Sequence, residues 1–174
     1  IYTSLFAEYG ITIGQVLTQK ENFSSRRSYL NQRAAMQVML ENGVLPVANE
    51  NDTASLTELM FTDNDELSGI IAAMMDADTL VILSNIDGIY TGSPDQPDSR
   101  LIESVAIGDD LSRYIQTTKS GFGRGGMGTK YGIARRLSEE GVRVIIANGT
   151  RPGILTAVIS DPKHTPHTEF VPRE

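Results

Sequence analysis

The fold is indicated by residues 64–84, which read NDELSGIIAAMMDADTLVILS. After a polar start, apolar side chains recur at helical spacing: Leu67, Ile70, Ile71, Met74 and Met75. This spacing predicts an amphipathic helix that Asp63 or Asn64 caps. Residues 79–83 are apolar at successive positions, as expected for a strand with both faces covered. A helix that leads into such a strand favours a parallel sheet layered by helices.

The same alternation continues on both sides of this stretch. Strands are predicted at residues 11–17, 44–48 and 142–147, and helices at residues 26–42, 110–117, 130–140 and 152–158. Ser24 or Ser25 caps the first of these helices, whose residues Leu30, Ala34, Val38 and Met39 share one face. The tail from residue 161, with His164 and His167, carries no clear pattern. We therefore expect an α/β fold with a mainly parallel sheet sandwiched between helices.

Composition narrows the class of protein. The chain has 174 residues, enough for one domain, and 15 Lys+Arg against 22 Asp+Glu give a net charge of −7. Acidity argues against a nucleic-acid binder, and the absence of cysteine excludes disulfides, thiolate metal sites and cysteine nucleophiles. No stretch approaches the ~20 apolar residues of a membrane span, and the first residues lack the basic-then-apolar pattern typical of a signal peptide. We expect a soluble, cytoplasmic protein with no nucleic-acid or membrane partner.

A first candidate site combines two clusters of acids and amides. Residues 49–52 read NEND after a predicted strand, and residues 63–65 read DND at the start of a predicted helix. Carboxylates and carboxamides hold ammonium groups and orient small zwitterions, and a helix N-terminus suits an anion. The alternative is structural, because Asn and Asp also populate turns and caps for local hydrogen-bonding reasons.

A second candidate is the glycine-rich segment at residues 121–130, GFGRGGMGTK, which runs into a helix. Its glycines let backbone amides approach phosphate oxygens, Thr129 is a possible helix cap, and Lys130 supplies a point charge. It is no P-loop, because Thr129 stands between the last glycine and the lysine. Its match to the dinucleotide fingerprint is accidental, because no strand precedes it and no acid follows at the required distance. What remains is an anion-binding loop or, alternatively, a flexible surface loop.

A third candidate follows the most apolar strand, where residues 84–91 read SNIDGIYT. In parallel sheets, ligands bind at the carboxyl ends of strands, and such loops often meet the base or ribose of a nucleotide. A tight turn at Asp87 and Gly88 is the structural alternative.

Four segments together resemble the glutamate 5-kinase family of the amino-acid kinase superfamily: residues 49–52, 61–65, 83–91 and 125–130. The resemblance implies an amino-acid kinase-like fold and ATP-dependent phosphorylation of the γ-carboxylate of L-glutamate, the first step of proline biosynthesis. It also implies Mg²⁺ bound with the nucleotide, glutamate and ATP as partners, and a homo-oligomer.

The same resemblance implies a role for each matching residue. Asp52 and Asn64 would bind glutamate, with Asp52 pairing its ammonium group. Asp65 would be the catalytic aspartate that organises lysines around the transferring phosphoryl group. Lys130 would counter the charge on the oxygens in transit. The nucleotide would be bound by Ser84, Asn85, Arg124, Gly125, Gly126, Met127, Gly128, Thr129 and Lys130.

The sequence also departs from the family pattern. Asn85 stands where the family usually has Asp, and Arg124 stands where it usually has Thr. The family's first strand, with its phosphate-binding lysine, and its early glycine-rich loop have no counterpart here. We expect residues 1–174 to form a single, partial amino-acid kinase domain without a C-terminal RNA-modification-like domain. Two alternatives stay open: a catalytically silent module that binds a nucleotide or a partner, and a kinase with another carboxylate, carbamate or nucleotide acceptor.

Overall fold

The computed structural model describes residues 1–51, 61, 63–115 and 126–173. The chain divides into two units, residues 1–67 and 68–174, and the division falls inside a helix, α3 (Asn64–Met74). Among the helices of the described ranges, none combines the length and the apolar content needed to cross a membrane.

The first unit is built on a pair of parallel strands. Its elements in chain order are α1 (Tyr2–Ala7), β1 (Thr12–Thr18), a 3-10 turn (Lys20–Phe23), α2 (Arg26–Glu41) and β2 (Val44–Glu50). The strands pair in parallel from Thr12 opposite Val44 to Thr18 opposite Glu50. Their carboxyl ends therefore lie side by side, and the predicted strands at 11–17 and 44–48 are confirmed.

Helix α2 confirms the helix predicted at residues 26–42. It begins after Ser25, whose side chain accepts a hydrogen bond from the Ser28 amide at 3.2 Å. The buried side chain of α2 is Met36, at 2% exposure. Leu30 and Val38, which the helical spacing placed on one apolar face, are 48% and 56% exposed.

The second unit contains a mixed four-stranded sheet between helices. Its elements are the rest of α3, β3 (Thr79–Ser84), β4 (Ser104–Val105), α4 (Ser112–Ile115), α5 (Met127–Glu139), β5 (Arg143–Asn148), α6 (Ile154–Ser160), a 3-10 turn (Pro162–His164) and β6 (His167–Phe170). The strand order is β3-β5-β6-β4. The pairs β3–β5 and β4–β6 are parallel and β5–β6 is antiparallel, so the mainly parallel sheet that the sequence predicted is confirmed.

Strand β5 forms the centre of this unit because both of its faces are buried. Val144 and Ile146 pack into a cluster with helix α5, whereas Ile145 and Ala147 pack against α6. All four side chains are 0% exposed. Helix α3 joins the α5 side through Gly69, where a Cβ would lie 2.7 Å from Cγ2 of Ile133. Helices thus cover both faces of the sheet, as predicted.

Two predictions at the level of elements are wrong. Helix α5 begins at Met127 after an N-cap at Gly126, so Thr129 lies inside the helix and does not cap it. The tail from residue 161 is not patternless, because β6 inserts between β5 and β4. His167, interpreted as a tail residue, is therefore buried in a strand.

Candidate functional site

The carboxyl ends of β1 and β2 carry the first cluster of amides and acids. The Asn51 amide donates to the Thr18 carbonyl at 2.8 Å, which joins the two strand ends. One carboxylate oxygen of Glu50, Oε1, accepts a hydrogen bond from the Phe61 amide at 2.8 Å. Phe61 is buried and packs edge-to-face on Phe23, with ring centroids 5.9 Å apart. The Glu50 carboxylate thus fixes the position of the backbone at Phe61.

The start of α3 presents Asn64 and Asp65 in its first turn. Asp63 caps the helix, since its Oδ1 accepts from the Glu66 amide at 2.9 Å. Asn64 is exposed and Asp65 is half-buried. The Lys20 ammonium lies 3.3 Å from Glu66 and ties the turn after β1 to this helix. Acidic groups here are stabilised by the positive end of the helix dipole.

Three of the predicted site residues, Asp52, Arg124 and Gly125, lie outside the described residues. The predicted substrate residue Asn64 and the predicted catalytic Asp65 belong to the first unit. The predicted nucleotide residues that are described, Ser84, Asn85, Gly126, Met127, Gly128, Thr129 and Lys130, belong to the second unit.

The carboxyl ends of β3 and β5 adjoin in the second unit. Ser84 pairs with Asn148, and the Gly149 amide donates to the Ser84 carbonyl at 2.8 Å. The Ser84 hydroxyl lies 3.4 Å from Oδ1 of Asn85, whose side chain is exposed. Both predicted nucleotide residues therefore lie where parallel strands of an α/β sheet present ligands.

Asp87, two residues beyond Asn85, is the centre of a polar network. Its Oδ1 accepts from Nε of Arg151 at 2.6 Å and from Nδ2 of Asn148 at 3.2 Å. Its Oδ2 accepts from Nη2 of Arg151 at 2.7 Å and from the Tyr90 hydroxyl at 3.2 Å. The Arg151 hydrogen bonds hold the pKa of Asp87 below its ordinary value despite partial burial. Burial and the Asp87 charge raise the pKa of Tyr90.

The first turn of α5 concentrates positive charge. Lys130 is only 9% exposed and lies one turn from the N-cap, Gly126, with its amide 3.4 Å from the Gly126 carbonyl. A helix N-terminus carries partial positive charge, which favours anions and disfavours cations. A buried lysine at this place is unfavourable for the helix alone, but together with the first-turn amides it provides a fitting environment for phosphate oxygens.

The loop after β3 and the start of α5 lie beside each other. A small pocket is lined by Ile86, Gly88, Ile89, Tyr90, Gly92, Pro94, Tyr114, Ile115 and Met127. The structure thus brings the predicted nucleotide residue Met127 close to the loop that Ser84 and Asn85 open. Within the second unit, these predicted nucleotide segments are neighbours.

Asn148 and Arg151, the polar partners of Asp87, are not among the site residues that the sequence predicts. The sequence places Asp87 in the candidate nucleotide loop at residues 84–91, or in a tight turn, but assigns it no partner; in the structure it joins the loops after β3 and β5. The available signal was the polar residue that directly follows the apolar strand 142–147, because the carboxyl ends of neighbouring parallel strands meet at one edge.

The second unit thus has a mainly parallel sheet with helices on both faces, and a helix that starts near Lys130 lies beside the loop after β3. These features agree with the comparison with known proteins. The sequence model of the amino acid kinase family matches residues 1–148. The chain belongs to the amino acid kinase family. Among solved structures, an isopentenyl phosphate kinase superposes with a TM-score of 0.65 at 20% identity, covering 97% of this chain and 62% of that one. This likeness concerns the fold.

Particular relatives share more of the sequence. Glutamate 5-kinase from Bacteroides thetaiotaomicron is 63% identical over 171 residues, which cover 98% of this chain and 48% of the relative. Glutamate 5-kinase from Chlorobaculum tepidum is 48% identical, over 90% of this chain and 43% of the relative. The chain thus spans about half the length of the curated relatives it matches.

Proposed function

We propose that this chain is part of an ATP- and Mg²⁺-dependent glutamate 5-kinase, which phosphorylates the γ-carboxylate of L-glutamate at the entry to proline biosynthesis. The observation that carries the proposal is the 63% identity to a glutamate 5-kinase over 98% of the chain. Solved structures with other phosphoryl acceptors share the fold at 20% identity or less, and so they do not favour another acceptor.

In this proposal the first unit binds the amino acid. Asp52 forms an ion pair with the ammonium group of glutamate, and Asn64 orients the glutamate by hydrogen bonds. Support comes from Asn64, which is exposed in the first turn of α3, where a side-chain amide is accessible to a small ligand.

The second unit binds the nucleotide in this proposal. Ser84 and Asn85 contact the base or ribose, and residues 124–130 surround the phosphates. The buried Lys130 at the start of α5 fits this role, because its charge and the first-turn amides both favour phosphate oxygens. ATP, when bound with Mg²⁺, supplies the phosphoryl group.

Phosphoryl transfer depends mainly on positioning and on electrostatic stabilisation. We assign Lys130 to the charge that builds on the transferring oxygens and Asp65 to the orientation of the lysines around them. Each neutral variant, Asp65→Asn and Lys130→Met, is then expected to lower kcat about 100- to 1000-fold.

The test is glutamate-dependent ADP release by the complete gene product, measured in a coupled assay. Matched controls are Asp78→Asn and Lys163→Met, at exposed residues before β3 and in the 3-10 turn at Pro162–His164, which should keep the wild-type rate. Absence of glutamate-dependent turnover, or an Asp65→Asn variant at full rate, would contradict the proposal. ATP binding without turnover favours a silent module, and turnover with another acceptor favours a different kinase.

The proposal extends to the setting of the enzyme. We propose that it works in the cytoplasm as a homo-oligomer, with small-molecule partners and no nucleic acid or membrane, and that residues 1–174 belong to a single amino-acid kinase domain. Size-exclusion chromatography with light scattering tests the oligomeric state, and a monomer would contradict that part.

A further inference from the structure

A hydrogen-bond network around Asp87 lies next to the residues that are predicted to contact the nucleotide. Asp87 is two residues from Asn85, and Asn148 is the strand partner of Ser84. The Asp87 side chain is only 14% exposed, and it accepts hydrogen bonds from Arg151, Asn148 and Tyr90. These donors come from two segments, the loop after β3 and the end of β5 with its following loop.

The network fixes both loops from several sides. Asn148, besides donating to Asp87, accepts at its Oδ1 from the Thr150 amide at 3.0 Å and from the Thr150 hydroxyl at 2.7 Å. On the other side of the loop, the Ile89 amide donates to the buried hydroxyl of Thr168 at 2.8 Å. The loop that begins at Ser84 therefore has little freedom to move relative to β5 and β6.

We propose that Asp87 is a positioning residue for nucleotide binding, which acts through Arg151 and Asn148 to hold Ser84 and Asn85 in place at the strand ends. This inference rests on the proposed function, since it assigns the β3 loop to ATP. Bidentate arginine–carboxylate pairs give geometric specificity as well as energy, which suits a fixed loop junction. Asp87 touches no substrate in this proposal.

The test separates positioning from general stability by comparing Michaelis constants. Asp87→Asn in the complete gene product removes the charge and part of the bidentate pair. Loosened loops weaken ATP binding in the ground state and in the transition state alike, so KM for ATP should rise about tenfold while kcat and KM for glutamate stay within about twofold. Arg151→Gln should give the same pattern, and because Arg151 is 48% exposed this variant is expected to fold.

The matched control is Glu169→Gln. It breaks an ion pair of the same geometry, in which Arg143 contacts Glu169 at 2.6 and 3.0 Å, but at the opposite end of β5. This variant should lower thermal stability and leave KM for ATP unchanged.

Each outcome decides the proposal. An unchanged KM for ATP in Arg151→Gln, or equal rises in the KM values for ATP and glutamate, would overturn the positioning role while leaving the proposed function intact. A wild-type protein that neither binds ATP nor turns it over would overturn the proposed function, and the positioning role with it. Because the second result is read on the wild type alone, the two failures are distinguishable.

Discussion

Gly88 shows how closely one residue constrains the loop after β3. A Cβ at this position would lie 2.9 Å from the Thr168 backbone nitrogen and would collide with the Thr168 hydroxyl. The backbone of a buried strand cannot move aside easily. We expect Gly88→Ala to lower the free energy of unfolding by about 1–3 kcal/mol, the usual effect of overpacking, as measured by urea denaturation.

The matched control for this prediction is Gly132→Ala. Gly132 is exposed inside α5 and a Cβ there meets nothing within 4 Å. Alanine should therefore stabilise the helix, by about 0.5–1 kcal/mol. If the two variants changed stability equally, the close approach at Gly88 would have no energetic weight.

The ion pair between Arg143 and Glu169 makes a pH-dependent contribution. The Arg143 hydrogen bonds hold the pKa of Glu169 below its ordinary value, and burial opposes them. A lowered folded-state pKa means that the stabilisation is complete above the unfolded value of about 4.3 and is lost as the pH falls below it. Glu169→Gln should therefore cost about 1 kcal/mol at pH 6 and markedly less at pH 3, by urea denaturation at both values.

A second glutamate serves as control for that experiment. Glu139 pairs with Arg135 across one turn of α5 at 3.4 Å, and both side chains are 47% exposed. Solvent screens such a pair, so Glu139→Gln should change stability little at either pH. A Glu169→Gln deficit of equal size at pH 3 and pH 6 would contradict the ionic origin of the contribution.

At the scale of elements, helix α2 depends on its cap. The Ser25 hydroxyl oxygen satisfies the Ser28 amide, one of the amides that a helix start leaves without an internal partner. Ser25→Ala should cost about 1 kcal/mol of unfolding free energy, whereas Ser25→Asp should retain the wild-type value because aspartate caps equally well. A loss of the same size in both variants, measured by thermal or urea unfolding, would show that the cap is not the cause.

The sequence predicts the elements with strong hydrophobic periodicity. It does not reveal β6, in which polar side chains are buried. The reason is that this strand begins with His, Thr and Glu, which are usually exposed to solvent. In the structure Thr168 is fully buried and donates to the Ile102 carbonyl at 2.7 Å, and Glu169 is neutralised by Arg143. Partners distant in sequence make these polar residues compatible with a sheet interior, and a local pattern does not reveal such partners.

The observed start of α5 at Met127 lies three residues before the predicted start at residue 130. Thr129 is a good capping residue by type, but Gly126 takes the cap position with extended backbone, φ −78° and ψ 173°. The helix then includes Gly128, which intrinsic propensity disfavours. Lys130 was predicted to serve the nucleotide, and its burial in the first turn is information that only the fold supplies.

At the scale of the molecule, the two units differ in how deeply their strands are buried. Four consecutive residues of β5 are inaccessible to solvent, whereas in β1 and β2 only Thr18 is buried. Amide exchange follows the free energy of local opening. We expect β1 and β2 amides to exchange about tenfold or more faster than those of β5, as measured by mass spectrometry on the polypeptide of residues 1–174. Equal protection of β2 and β5 would contradict this difference.

Strand β6 joins residues far apart in the chain, since it lies between β5 and β4, with β4 more than 60 residues earlier in sequence. Until residues 167–170 are available, β4 lacks its sheet partner, and β5 lacks a partner on the edge that does not pair with β3. During translation, therefore, one edge of β5 keeps unpaired backbone amides and carbonyls until those residues leave the ribosomal exit tunnel. Ribosomes that stall before that point would hold a nascent chain that is a target for chaperones rather than a finished sheet.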